Sequence, residues 1–292
     1  MKRILIVGCG DIALRVAPLL RARYRLFGLV RNPARFEALR EVGMVPLWGD
    51  LDEPRSLRQL HGLAHTVLHL APPPGEGEHD TRTRHLLAAL AHPRSEFARC
   101  QPQRLVYVST SGVYGDCAGA MVSETRPAHP HNDRAKRRLD AEQQIRRWAV
   151  RNGVHASILR VPGIYAGDRL PLQRLEKGTP AIVAAEDGYT NHIHADDLAR
   201  CVIAAMQHGK ANRVYHTVDD SKLKMGDYFD AVADACGLPR PPRIARIDAQ
   251  SVLSPALLSF MNESRQLTNR RMKQELKVKL RYATVADTLK EV

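Results

Sequence analysis

The chain has 292 residues and 44% hydrophobic content, enough to bury a large core and ordinary for a globular protein in water. Its 44 basic residues against 31 acidic ones leave a net charge of +13, which favours anionic partners such as nucleotide phosphates or acidic metabolites. The five cysteines, Cys9, Cys100, Cys117, Cys201 and Cys236, are odd in number and form no Cys-x-x-Cys pair, which speaks against a disulfide framework or a zinc site and for a reducing cytoplasm. No apolar run has the length of a signal peptide core or a membrane span.

The first element, "RILIVG" (3–8), reads as a buried strand and runs straight into "GCGDIALRV". Gly8, Gly10 and Ala13 make a G-x-G-x-x-A pattern between a strand and a helix, a placement that points to a dinucleotide cradle. Gly8 permits the tight turn, Gly10 lets the backbone approach a pyrophosphate, and Ala13 keeps helix and strand close. Asp11 and Ile12 open the helix, whose unpaired N–H groups would face phosphate.

The second strand, "RLFGLV" (25–30), ends at Arg31, where an acid would hold the ribose of NAD, and Arg35 follows one turn later. A guanidinium binds a 2′-phosphate that a carboxylate would repel, so NADP is favoured over NAD. The third strand, "MVPLWGD" (44–50), brings Asp50 and Leu51 to the adenine side, and the fourth, "TVLHLA" (66–71), delivers Ala71 and Pro72 to the cofactor. His61, His65 and His69 recur every four residues, but Gly62 interrupts the start and His69 belongs to a strand, so no metal site is expected.

A fifth strand, "RLVYVST" (104–110), closes a series in which strands alternate with segments of helical spacing at 12–23, 33–42, 54–63 and 81–92. Near-continuously apolar strands alternating with amphipathic helices predict an α/β fold with a doubly wound parallel sheet. The pattern continues with a helix over 141–153, stopped at Gly153, and a strand over 155–161. Beyond Pro162 come a helix over 195–209 with Asp196 as its N-cap, a strand over 213–220, and a helix over 225–239 closed by Gly237 and Pro239. "PRPPRIARID" (239–248) reads as an extended connector. The basic run at 269–282 lacks the interleaved aromatics of a base-stacking surface and reads as a solvated face, so nucleic acid is not expected as a partner.

Taken together, the glycine turn, "GDLDEP", "VYVSTSGVYGD", "LRVPGIYAGDR" and "NHIHADDLA" make the chain resemble the NAD(P)-dependent epimerase/dehydratase family, an extended or atypical branch of the short-chain dehydrogenase/reductase superfamily. The resemblance covers nearly the whole chain. It implies a Rossmann-type domain over 1–165 and a small α+β substrate-binding part over 166–292, with about 195–220 returning to the Rossmann core. It also assigns the substrate-polarising hydroxyl to Thr110, with Ser111 beside it and Ser109 and Pro162 on the cofactor side.

In the family that hydroxyl works with a tyrosine four residues before a lysine on the next helix, the tyrosine as acid/base and the lysine lowering its pKa. Here the helix reads "HNDRAKRRLDAEQQI" and holds no tyrosine. Register on Lys136 puts Asn132 in the tyrosine position; register on Glu142 puts Arg134 there and Arg138 in the lysine position. Neither Asn nor Arg passes a proton as a phenol does, and Lys136 or a water is left to handle protons. Tyr114 belongs by resemblance to a structural turn, while Tyr165 and Tyr189 come from the second half.

Arg169, Asn191 and His192 are the expected substrate contacts, Arg169 toward an anionic group, and the loop "HPH" (129–131) can line the same cleft. Two functions stay open: an NAD(P)-dependent oxidoreductase or epimerase acting on a polar or anionic small molecule, or a non-catalytic NADP(H) sensor or scaffold. A monomer or homodimer is expected.

Overall fold

Apolar residues on both faces of a strand demand cover on both sides, and that requirement organises the chain. The structure, a computed structural model, describes residues 1–91 and 101–292, with every side chain there except those of residues 255, 256 and 260. Cys100 and the last residue of the expected helix over 81–92 lie outside the described residues.

In chain order the strands are β1 (Lys2–Val7), β2 (Tyr24–Val30), β3 (Met44–Trp48), β4 (Thr66–His69), β5 (Arg104–Thr110), β6 (Met121–Val122), β7 (His155–Val161), β8 (Gly163–Tyr165), β9 (Ala181–Ile182), β10 (His192–His194), β11 (Arg213–His216), β12 (Arg243–Ile244) and β13 (Gln266–Leu267). The helices that matter for the site are α1 (Asp11–Leu20), α2 (Phe36–Glu41), α3 (Thr81–Leu90), α4 (Asp133–Asn152), α5 (Leu172–Glu176), α6 (Ala195–His208) and α7 (Met225–Ala235). Seven strands form one parallel sheet in the order β11-β7-β5-β4-β1-β2-β3.

The order reverses between β1 and β4: the chain builds outward from β1 to β3, then returns to start β4 on the other side of β1. Their carboxyl ends diverge at this switch point, which is where open α/β sheets bind ligands. One face of the sheet packs on α1 and α6, the other on α3 and α4, giving two separate apolar layers. Residues 195–220 supply both α6, packed on α1, and the edge strand β11. Two short parallel pairs, β8 with β10 and β9 with β12, tie the second half together, and a third, β6 with β13, joins it to the segment after β5.

Four local expectations change. The segment at 54–60 is a 3-10 helix, its first turn starting at Pro54. The N-cap of α6 is His194, whose ring accepts from the Asp196 backbone N–H at 3.2 Å, so Asp196 sits inside the first turn. The connector at 239–248 contains β12 and the start of a helix, Arg246–Val252. The basic run at 269–282 is solvated on one side only: Met272, Leu276 and Val278 are buried in the layer that holds α6. Its charges alternate with apolar anchors, which a charge count does not separate.

Candidate active site

Gly8 sits where β1 meets β4. Its φ is +90°, and a Cβ added to it would lie 2.4 Å from the Ala71 backbone nitrogen, so the position has room for glycine alone. Gly10 differs: nothing lies within 4 Å of where its Cβ would stand. That open space at the start of α1 is the volume a diphosphate needs, with helix N–H groups beside it. Ala13 is fully buried between α1 and the sheet, and Ile12 packs on the same layer. Asp11 is held by Arg15 at 3.0 Å and by Arg169 at 2.7 Å.

Beside this turn a cavity of about 270 Å³ is lined by Gly8, Cys9, Arg31, Asn32, Arg35, Asp50, Leu51, Ala71, Pro72 and Arg82 among others. Gly8, Arg31, Asp50, Leu51, Ala71 and Pro72, all expected at the cofactor, therefore share one cavity at the switch point. No carboxylate stands at the end of β2; Arg31 and Arg35 are both exposed there, and an Arg35 N–H donates to the Cys9 carbonyl at 3.3 Å. Burial pushes the Cys9 thiol up to about 12, so it remains protonated in the turn. Arg82, for which the sequence holds no signal, reaches in from α3 while bonded to Asp52. The residues present thus fit a nicotinamide dinucleotide.

A second cavity, about 370 Å³, opens at the end of β5. It is lined by Thr110, Ser111, Gly112, Arg134, Pro162, Gly163, Tyr189, Asn191, His192, Glu263 and Arg265, with Met225, Leu257 and Met261 as apolar wall. The Thr110 oxygen accepts from the Gly112 N–H at 3.2 Å and caps the following turn. Its own O–H hydrogen stays available to donate.

On α4, Arg134 lines this cavity and Asn132 does not. Asn132 instead caps α4, accepting from the Ala135 N–H at 2.9 Å. Arg138, one turn after Arg134, lies across the strand ends and donates to the Val108 carbonyl at 2.8 Å and the Tyr107 hydroxyl at 3.2 Å. Lys136 is absent from the cavity: its ammonium bonds Glu78 at 2.5 Å and pairs with Asp133 at 3.4 Å.

Other expected contacts are engaged elsewhere. Ser109 is buried and donates to Glu142 at 2.6 Å; Glu142 also takes two bonds from Arg160, at 3.1 and 2.7 Å. Arg169, paired with Asp11, lines neither cavity. Asn191 reaches the second cavity, but its amide is spent on the Arg265 carbonyl and the Leu267 N–H, which pins β13. His129 and His131 bond each other at 2.8 Å on the exposed loop, outside the cavity.

His192 is buried against the Tyr228 ring at 4.2 Å, and burial lowers its pKa to about 4, so it is neutral at pH 7. Tyr114 bonds His216 at 2.6 Å; because the other nitrogen of His216 faces the Thr268 carbonyl, the phenol is the donor in that bond. Tyr165 is buried and its pKa is raised by desolvation, while Tyr189 does line the cavity.

Glu263 and Arg265 carry no motif that marks them in the sequence. They bond each other at 2.8 Å, both largely buried, and Arg265 also holds the Gly115 carbonyl. No helix among the described residues is long and apolar enough to cross a membrane.

The profile of the NAD dependent epimerase/dehydratase family matches residues 4–218. Among solved structures, a functionally unknown conserved protein from Silicibacter pomeroyi DSS shares 28% identity, with 100% of this chain and 98% of that one covered, at a TM-score of 0.80. UDP-glucose 4-epimerase from Thermotoga maritima, solved with UDP-glucose, is similar at 17% identity, 99% and 96% coverage and TM-score 0.78. UDP-glucuronic acid 4-epimerase from Bacillus cereus, solved with NAD, is similar at 18% identity, 98% and 96% coverage and TM-score 0.77. No curated protein matches the chain in sequence.

Proposed function

The chain belongs to the NAD dependent epimerase/dehydratase family, and from that premise we propose that it is an NADP-preferring oxidoreductase or epimerase acting on a small polar substrate in the second cavity. The observation that carries the cofactor half is the first cavity, where Gly8 and Gly10 leave a diphosphate path and two arginines stand where an NAD-binding acid would. Arg31 and Arg35 would hold the 2′-phosphate, Asp50 and Leu51 the adenine, Ala71 and Pro72 the ribose side, and Pro162 the nicotinamide end. A bound nicotinamide supplies a hydride donor or acceptor.

The chain's own residues do the rest. Thr110 donates its free hydroxyl hydrogen to the substrate oxygen, with its rotamer fixed by the bond from Gly112. Arg134 takes the place of the absent phenol and stabilises negative charge on that oxygen without exchanging a proton, since guanidinium keeps its charge. Tyr189 is the one phenol among the described lining residues of the cavity and the candidate for proton transfer.

Mixing the protein and NADPH with a panel of small carbonyl compounds tests this reading by loss of nicotinamide absorbance. Turnover that falls in Thr110→Val supports it. A protein that binds NADPH and consumes none with any carbonyl is a nucleotide sensor instead, the reading that the missing tyrosine favours.

A further inference from the structure

The first cavity has three arginines on its wall, Arg31, Arg35 and Arg82, and they are not alike. Arg31 and Arg35 are exposed at the end of β2. Arg82, the second residue of α3, has a side chain only 20% exposed, and its nitrogens are already engaged. Its Nε and Nη2 donate to the two oxygens of Asp52, at 2.9 and 2.5 Å. Its Nη1 donates to the Pro73 carbonyl at 3.2 Å and, less closely, to the Pro72 carbonyl at 3.5 Å. A guanidinium has five N–H hydrogens, all in its plane, so these four bonds leave a single one unspent.

Both sides of this clamp are fixed. Asp80 caps α3 by accepting from the Thr83 N–H at 2.9 Å, which sets the turn from which Arg82 projects. Opposite it, the Asp52 N–H donates to the Asp50 carboxylate at 2.9 Å, and a ring nitrogen of His85 on α3 donates to the Leu51 carbonyl at 2.7 Å. The bond from Arg82 holds the Asp52 carboxyl below its usual range, so the pair stays ionised at neutral pH.

A guanidinium neutralised by its own carboxylate, with its edge spent, is a poor anchor for phosphate. What it still offers a ligand is a flat, rigid face, and nucleobases pack on such a face. The rest of the wall supplies no ring: its apolar part includes Val7, Leu29, Leu51 and Ala71, and no aromatic side chain is among the described lining residues. We propose that the adenine ring of a bound nucleotide stacks on the Arg82 guanidinium, leaving phosphate to Arg31 and Arg35. The proposal rests on reading this cavity as the nucleotide site.

The test is calorimetric titration of the full chain, as wild type, Arg82→Ala and Arg82→Lys, with NADPH, NADH, ADP and nicotinamide mononucleotide. Asp52 is 43% exposed, so neither substitution leaves a buried charge behind. Arg82→Ala is expected to bind NADPH, NADH and ADP roughly tenfold more weakly, by one common factor. Nicotinamide mononucleotide, which lacks the base, should bind equally to all three proteins. Arg82→Lys keeps the charge but has no plane, and should be as weak as alanine. Unchanged affinity in Arg82→Ala overturns the proposal and leaves the nucleotide reading standing. Loss confined to NADPH, or full rescue by lysine, also overturns it, since either makes Arg82 a charge contact. Arg82-dependent binding of ADP without binding of any dinucleotide upholds the stacking and removes the dinucleotide reading. No binding of any adenine nucleotide overturns both.

Discussion

Replacing Glu142 with Gln is predicted to destabilise the protein without weakening nucleotide binding. The Glu142 side chain is 1% exposed and that of Arg160 is 7% exposed, so the variant leaves a buried guanidinium without its counter-charge. Breaking one side of such a pair costs about 3–5 kcal/mol. With an unfolding entropy of about 2 cal/mol/K per residue, a chain of this length loses roughly 5–8 °C in Tm.

Exchanging both partners, Glu142→Leu with Arg160→Met, removes the orphaned charge and should recover most of that loss. Ser109→Ala forfeits a hydrogen bond to a charged group, about 1.5–3 kcal/mol, and leaves NADPH affinity unchanged because the hydroxyl faces Glu142. Thermal unfolding followed by circular dichroism, with NADPH titrations alongside, reads all four proteins. A Tm loss below about 2 °C in Glu142→Gln, or a double variant no better than the single one, would refute the reasoning.

Alanine at both Arg31 and Arg35 should weaken NADPH by roughly 10- to 100-fold and leave NADH as it was, measured by calorimetric titration; two screened, exposed charges supply that much. Gly10→Ala should fold with stability within about 1 kcal/mol of wild type, since its Cβ meets nothing, yet lose nucleotide affinity as the methyl enters the diphosphate path. Gly8→Ala should cost about 2 kcal/mol or more in urea unfolding, because the methyl meets the Ala71 backbone at positive φ. His192, neutral in the fold down to about pH 4, gains its proton near pH 6.5 when unfolded. Stability therefore declines as pH falls through that window. A phenylalanine ring does not titrate, so in His192→Phe the slope of stability against pH should drop by about 1.4 kcal/mol per pH unit between pH 6 and 4.

The cradle was legible because it is local: strand, glycines and helix follow within a dozen residues, and periodicity alone marks β1 and α1. Side-chain direction was harder to read. Ser109 and Thr110 are neighbours on β5, so they point to opposite faces, one into Glu142 and one into the cavity.

On α4 the same geometry decides which side chains face the cavity. Arg134 and Arg138 lie one turn apart on a single face, whereas Lys136 is about 200° round the helix from Arg134 and meets Glu78. Glu263 and Arg265 were invisible in sequence, since they come to the site through long-range pairing of their segment with β6 and with the Asn191 amide, which nothing in their own stretch announces. His194 took the cap expected of Asp196 because the carboxylate is drawn to Arg15 at 2.7 Å.

The most direct test is titration of the purified apo protein with NADPH, NADP, NADH and NAD. The account predicts that all four bind and that the phosphorylated pair binds clearly tighter. Equal binding of the phosphorylated and unphosphorylated forms contradicts the role given to Arg31 and Arg35, and no binding of any of the four contradicts the cradle itself.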